Sequence, residues 1–491
     1  MPMSSLPSPY GIGTMGKAAY EFTDFLKAAG QTYWQLLPLG PTSYGDSPYA
    51  SPSTFAGNPY YIDLDMLIED GLLEKSDLEG VFWGDNPEKT DYGAIYFSRY
   101  TVLRKAFARG RESLKEELDA FIEENKSWLV NYALFMAVKV SFDMKFWRDW
   151  PDESIKRHKP EAVAEYSEKY AEDILFWEFL QYLFFKQWNA LRDYAKSRGI
   201  GFIGDVPIYV AMDSADVWAE PQYFQIDDDY NPVNVSGVPP DSFNADGQLW
   251  GNPLYDYDAM KADGFGWWIR RIEGVTRLYD VIRIDHFRGF ESYWAVPAGD
   301  ENARRGVWEK GPGMDLVGVL TSWFSGTDFI AEDLGYSTPE VRKLLDDSGL
   351  PGMKVLHFAF RGTEDSMYLP HNCCENSTMF VGTHDNNTTL GWLTELEDCD
   401  IEFARKYMHI TDDEGWCYGL IRTGMASTSE LFVVTMQDVL ELPGDCRMNT
   451  PGIPSGNWTW RMASGAATDK IAARLKDMAV TYKRYEEPEE K

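Results

Sequence analysis

Three short apolar runs that each end abruptly in acids constrain this chain more than any other feature. The first runs from Asp280 to Phe290 and places Arg283, Asp285, His286 and Arg288 at its close. The second, Asp328 to Gly335, ends on Glu332 and Asp333, and the third, Met379 to Asn387, ends on His384 and Asp385. A run of four to eight apolar residues bounded by polar ones reads as a buried strand. Polar groups gathered beyond the C-terminal ends of several parallel strands are how a TIM barrel assembles its active site. Asp385 lies 53 positions after Glu332, with Val355 to Phe360 reading as one more strand between them. That gap fits two βα units of roughly 31 residues each. An Arg-x-Asp pair by itself reads as a structural ion pair. Repeated on three strands, the pattern brings three carboxylates to one mouth, which suits glycosidic-bond chemistry. Arg283 and Asp285 are two apart and share a strand face, so the guanidinium is expected to hold the Asp285 carboxyl low and ionised.

The remaining chain supplies the other units. Ala18 to Ala29 has helical spacing and stops at Gly30; Thr32 to Leu39 reads as the first strand and Tyr60 to Leu64 as the second. Between them lies a long loop, 40–59, rich in Gly, Pro, Ser and Tyr. Residues from about 65 to 173 are too many for one connection and alternate charged and aromatic helical patterns, which predicts a mainly helical insertion. A helix over Ile174 to Arg198 leads into a third strand, Gly199 to Pro207, carrying Asp205. Residues from about 209 to 258 predict a loop-rich insertion over the active site. Leu431 to Asp438 reads as the eighth strand. The fold class is therefore α/β, a (β/α)8 TIM barrel with large insertions, forming a single unit over residues 1–491.

Two motifs are set aside. Gly11, Gly13 and Gly16 spell G-x-G-x-x-G, but no strand precedes them, so the dinucleotide fingerprint fails. Asp227-Asp228-Asp229 lacks the spaced ligands and glycine of a calcium loop and reads as a solvated turn. The five cysteines, Cys373, Cys374, Cys399, Cys417 and Cys446, follow no zinc spacing, so no metal and no cofactor is expected. A net charge of −32 argues against nucleic acid and anionic membranes as partners. No secretory signal or membrane-spanning run is visible, and unpaired thiols suit a cytoplasmic protein. A plastid location is the alternative if a targeting segment was removed.

Longer motifs carry a family resemblance. Leu6 to Gly13, Trp34 to Pro41, the run Tyr44-Gly45-Asp46-Ser47-Pro48-Tyr49 continuing to Pro59, and Gly204 to Pro207 are the first four. Gly237 to Tyr255, Arg283 to Phe290, Ala331 to Gly335, Leu369 to Asn372 and Gly382 to Thr388 follow in order. Together the chain resembles the 4-alpha-glucanotransferases known as amylomaltases or disproportionating enzymes, of the alpha-amylase clan. The resemblance implies an inserted barrel without a separate C-terminal β-domain, acting on maltooligosaccharides and α-1,4-glucans. It implies Asp285 as nucleophile, Glu332 as general acid/base and Asp385 as the carboxylate that grips sugar hydroxyls. It implies Ser47, Tyr49, Asp205, Asp241, Gln248, Trp250 and Asn457 as sugar-binding residues, with Tyr49 and Trp250 offering stacking faces. Physical reasoning adds that Glu332, crowded by two other acids, should stay protonated, and that Arg283, His286 and His384 line the site. For the two histidines a structural role stands beside a sugar contact. Where the family often carries an acid after Phe360, this chain has Arg361-Gly362-Thr363. A retaining α-glucan hydrolase shares the same carboxylates, and a non-catalytic carbohydrate-binding barrel is the third reading.

Overall fold

The computed structural model describes residues 1–43, 45–240, 244–335, 337–362 and 366–486. Seven strands form one parallel sheet: β1 (Tyr33–Gln35), β2 (Gly201–Val206), β3 (Val281–Ile284), β4 (Asp328–Ala331), β5 (Gly352–Val355), β6 (Ser377–Phe380) and β7 (Leu431–Val433). They neighbour one another in chain order, as right-handed βα units require. Register pairs such as Ile203 with Val281 and Ile284 with Ala331 align the strand ends at one rim. Ile203, Val281, Ile330, Met353, Val355 and Phe380 pack together as one buried cluster. Counting by twos from these residues puts Asp205, Arg283, Asp285 and Glu332 on that same face. At Gly204 a Cβ would lie 2.0 Å from the Tyr279 ring, so only glycine fits there. The result is a nearly closed barrel of the (β/α)8 kind, followed after β7 by loops and the helix Asp469–Thr481.

Three segments depart from the strands expected of them. Tyr60 to Leu64 is not the second strand: Pro59–Tyr61 is a helical turn and Leu64–Glu69 a helix. Pro59 brings no N–H to a ladder, the Asn58 side chain accepts from Tyr60 N, and the buried Arg99 guanidinium takes the carbonyls of Tyr60 and Ile62. The backbone groups a strand would offer are thus committed elsewhere. Among the described residues, β1 pairs only with β2 and β7 only with β6. Their free edges flank a slot lined by Met1, Pro2, Phe22, Trp34, Phe432 and Leu475. The run Val355 to Phe360 is mostly a helical turn, Leu356–Ala359, because its strand begins earlier, at Gly352. Leu431 to Asp438 likewise leaves the sheet after Val433, and Thr435 caps the helix Met436–Val439.

Residues 65–173 carry the helices Tyr92–Ser113 and Lys115–Ser141, and a third long helix, Ala171–Ser197, leads back to β2. The stretch 209–258 holds more structure than its composition suggests. Its strands Asn234–Val238 and Gln248–Pro253 join Ser292–Pro297 and Val307–Lys310 in an antiparallel four-stranded sheet. Asp227 spends its carboxylate on the N–H groups of Asp229 and Asn231, closing the acidic turn on itself. No helix among the described residues is long and apolar enough to cross a membrane.

Candidate active site

Asp205 lies deeper than Asp285 or Asp385, and its side chain is fully buried. Arg283 Nη1 donates to both its oxygens, at 2.7 and 2.8 Å, and the Tyr49 hydroxyl donates to Oδ2 at 2.7 Å. The same Nη1 reaches Asp285 Oδ1 at 3.0 Å. One guanidinium therefore serves two carboxylates, and the buried one holds it more closely.

Asp285 and Glu332 each follow directly on the register pair Ile284–Ala331. Neighbouring strands lie about 4.8 Å apart, close to the roughly 5 Å between the two carboxyls of a retaining glycoside-cleaving enzyme. Glu332 is fixed from both sides: His286 N donates to Oε2 and Leu334 N to Oε1, each at 2.8 Å. His286 has φ 48°, in the left-handed region. That turn lets Phe287 N also donate to the Glu332 carbonyl, at 3.0 Å.

Electrostatics correct one expectation. Burial raises the Asp285 carboxyl to about 6, outweighing Arg283, while Asp205 and Asp385 push it further up. Burial is the main reason Asp285 is not held low, and the Asp205 charge that shares its guanidinium adds to it. Burial likewise raises Glu332 to about 8, with the Asp285 charge adding to it and Arg283 opposing. Burial, more than crowding, keeps Glu332 protonated at neutral pH, and Asp285 loses its proton first.

His286 is pushed down to about 3 by burial and by Arg288, so its ring is neutral. The Trp250 ring meets it edge-on at 4.8 Å and is 39% exposed, with Nε1 donating to Gln248 Oε1 at 3.2 Å. His384 lies with its ring over Tyr49 at 5.2 Å and 23°, and its Nε2 is 3.3 Å from Asp385 Oδ1. Asp385 sits in a turn in which Asn386 accepts from both donors of Thr383. Its carboxyl is half-exposed at the rim.

Several residues expected to bind sugar also have partners within the protein. Asp205 has no exposed side-chain surface. Tyr49 donates its hydroxyl hydrogen to Asp205 and stacks on His384. Ser47 Oγ accepts from Tyr49 N at 3.2 Å and shapes the turn. Asn457 accepts from Thr450 N and donates to the carbonyls of Thr450 and Ile453, stitching the 450–457 loop. Asp241 lies outside the described residues, as does Thr363. Arg361 pairs with Glu395 at 2.9 Å and Gly362 N donates to Asp400. Arg447 and Asn449 were not foreseen, yet both hold the Asp385 segment. They lie on no apolar run, so strand patterning could not reveal them. Among the described residues no group of three or more His, Cys, Asp or Glu side chains is placed to hold a metal ion.

A parallel barrel with two buried carboxyls one strand apart at its C-terminal rim defines an enzyme of the retaining glycosyl-transferring or glycoside-cleaving class. Comparison with known proteins narrows this. The model of the 4-alpha-glucanotransferase family matches residues 1–467, and the chain belongs to that family. It is 46% identical to a 4-alpha-glucanotransferase of Clostridium butyricum, covering 99% of this chain and 100% of that one. It is 44% identical to the 4-alpha-glucanotransferase of Thermus thermophilus, with 98% and 97% covered. The chloroplastic/amyloplastic 4-alpha-glucanotransferase of Solanum tuberosum is 40% identical, over 98% of this chain and 85% of that one. Among solved structures, an amylomaltase from Streptococcus agalactiae in complex with acarbose superposes with a TM-score of 0.96 at 41% identity, covering 99% of both chains. An amylomaltase from Corynebacterium glutamicum, 19% identical, shares the fold with a TM-score of 0.77 over 98% of this chain and 74% of that one.

Proposed function

We propose that this chain cleaves α-1,4 bonds in maltooligosaccharides and longer α-glucans and passes the released segment to the 4-hydroxyl of another glucan or of glucose. The observation that carries the reading is the buried pair Asp285 and Glu332, on adjacent strands, with Asp285 the stronger acid. In the first half-reaction Asp285 attacks the anomeric carbon while Glu332 protonates the departing glycosidic oxygen. A covalent β-glycosyl ester on Asp285 results. In the second half-reaction the ionised Glu332 takes the proton of the incoming 4-hydroxyl, which displaces Asp285 and restores the α configuration. The Asp385 carboxylate accepts hydrogen bonds from hydroxyls of the reacting ring, and these strengthen as positive charge develops there.

Arg283 and Asp205 take no part in bond making. They form the buried frame that aims Asp285. Transfer prevails over hydrolysis when an acceptor is held in near-attack geometry, because such positioning is worth effective molarities of about 10⁵ M or more. The half-exposed indole of Trp250 beside His286 supplies an apolar face for an acceptor ring.

Maltotriose as sole substrate tests the reading. Transfer predicts glucose plus a ladder of longer maltooligosaccharides, with total reducing ends nearly constant. Shorter sugars alone, with reducing ends rising as substrate disappears, would establish a hydrolase. Trapping with a fluorinated glucosyl donor should place the label on Asp285, and a label on Glu332 or Asp385 would reverse the assignment.

A further inference from the structure

Glu332 and Asp205 are immobilised by the barrel itself, but Asp385 is not. It stands five residues past the end of β6, in a loop, with its side chain 47% exposed. A short carboxylate there has several open rotamers, and fixing one costs conformational entropy unless another group holds it. His384 Nε2 lies 3.3 Å from Asp385 Oδ1, and a segment from beyond β7 supplies a closer partner for the same oxygen. Asn449 Nδ2 donates to Asp385 Oδ1 at 2.6 Å. The backbone on either side is tied as well: Asn449 N donates to the His384 carbonyl at 3.0 Å. Arg447 donates through Nη2 to the Asp385 carbonyl and through Nε to the Asn449 carbonyl. Trp458 N donates to the Met448 carbonyl at 2.8 Å, and the Trp458 ring lies 5.8 Å from His384.

We propose that Asn449 is a positioning residue for the reaction. It holds Asp385 Oδ1 so that Oδ2 faces the sugar, and the Arg447–Trp458 segment is the clamp that carries it. The inference rests on the sugar-gripping role assigned to Asp385. It also gives Asn457 a role other than touching sugar, since Asn457 stitches the loop that follows Asn449.

The test is a double-mutant cycle on transfer from maltotriose, with melting temperatures recorded for every variant. Asn449→Ala should lower kcat about 10- to 100-fold and leave KM within about twofold, because the hydrogen bonds Asp385 makes strengthen only in the transition state. Asn449→Asp keeps the shape, cannot donate to an ionised Asp385 and should lose at least as much; it decides the matter should the alanine variant fail to fold. Combined with Asp385→Asn, either change should cost little beyond Asp385→Asn alone, since both act through one group. Multiplicative losses would overturn the proposal while leaving the role of Asp385 intact. Wild-type kcat in Asn449→Asp would also overturn it, and full activity in Asp385→Asn would remove both the proposal and the assignment beneath it.

Discussion

Replacing Asp205 by Asn should widen activity toward acid, and the size of the effect follows from one nitrogen. Arg283 Nη1 lies 2.7 Å from Asp205 Oδ1 and 3.0 Å from Asp285 Oδ1, so the two oxygens are within about 6 Å of each other. Two like charges at about 6 Å interact by roughly 2–3 kcal/mol at an effective dielectric of about 20. At about 1.4 kcal/mol per pK unit, removing the Asp205 charge lowers the Asp285 carboxyl by up to about two units. Arg283 stays in place and then answers chiefly to Asp285. Asp385 continues to push Asp285 upward, and His384 continues to oppose that. The assay is kcat/KM against pH, which reports the free enzyme. Wild type should give a bell, rising with ionisation of Asp285 near pH 6 and falling as Glu332 deprotonates near pH 8. In Asp205→Asn the rising limb should move to lower pH by about one to two units while the falling limb moves much less. An unmoved rising limb, or one shifted upward, would refute the shared-guanidinium account.

The raised carboxyl of Glu332 makes a separate prediction about stability. Below pH 4.5 it is neutral folded and unfolded; between there and about 8 the folded state keeps a proton the unfolded chain has released, so stability falls as pH rises. The stability of Glu332→Gln relative to wild type should therefore climb by a few kcal/mol from pH 4.5 to pH 8 in denaturant titrations, and a pH-independent difference would refute it. Trp250→Ala should raise the hydrolytic share of turnover severalfold on maltotriose by removing the acceptor face beside His286; an unchanged product ladder would place the acceptor elsewhere.

What the sequence revealed and what it hid divide along a physical line. Asp285, Glu332 and Asp385 were legible because barrel strands are short apolar runs whose ends are marked by charge, and parallel register brings such ends to one rim. The Tyr60–Leu64 segment misled because an apolar run shows burial but not where its carbonyls point. Arg99, which takes two of them, is 37 to 39 positions away. That Asp205 and Tyr49 bond to each other, and Asp205 to Arg283, was not legible, because composition cannot show which polar atoms meet across 156 and 78 positions. The small sheet that begins at Asn234 escaped because two of its four strands, Ser292–Pro297 and Val307–Lys310, lie beyond β3, so no local alternation announced it. Asn449 acts on a residue 64 positions distant and carries no pattern of its own.

The placement of Arg283 bears on how Glu332 changes roles. In the proposed cycle, the negative charge of the pair Asp285 and Glu332 sits on Asp285 before reaction, and Glu332 holds a proton. Once Asp285 is esterified that charge is gone from it, and the departing sugar has taken the Glu332 proton. The pair carries the same net charge as before, moved across one strand spacing. Removing the Asp285 charge takes away an influence that held the Glu332 carboxyl up, while the opposing pull of Arg283 remains. Glu332 therefore rests as a carboxylate for as long as the ester lasts, and regains its proton from the acceptor hydroxyl. The cation never has to move: it stays buried against Asp205 while its charge acts on both Asp285 and Glu332, so the cycle proceeds without rearranging the core around it.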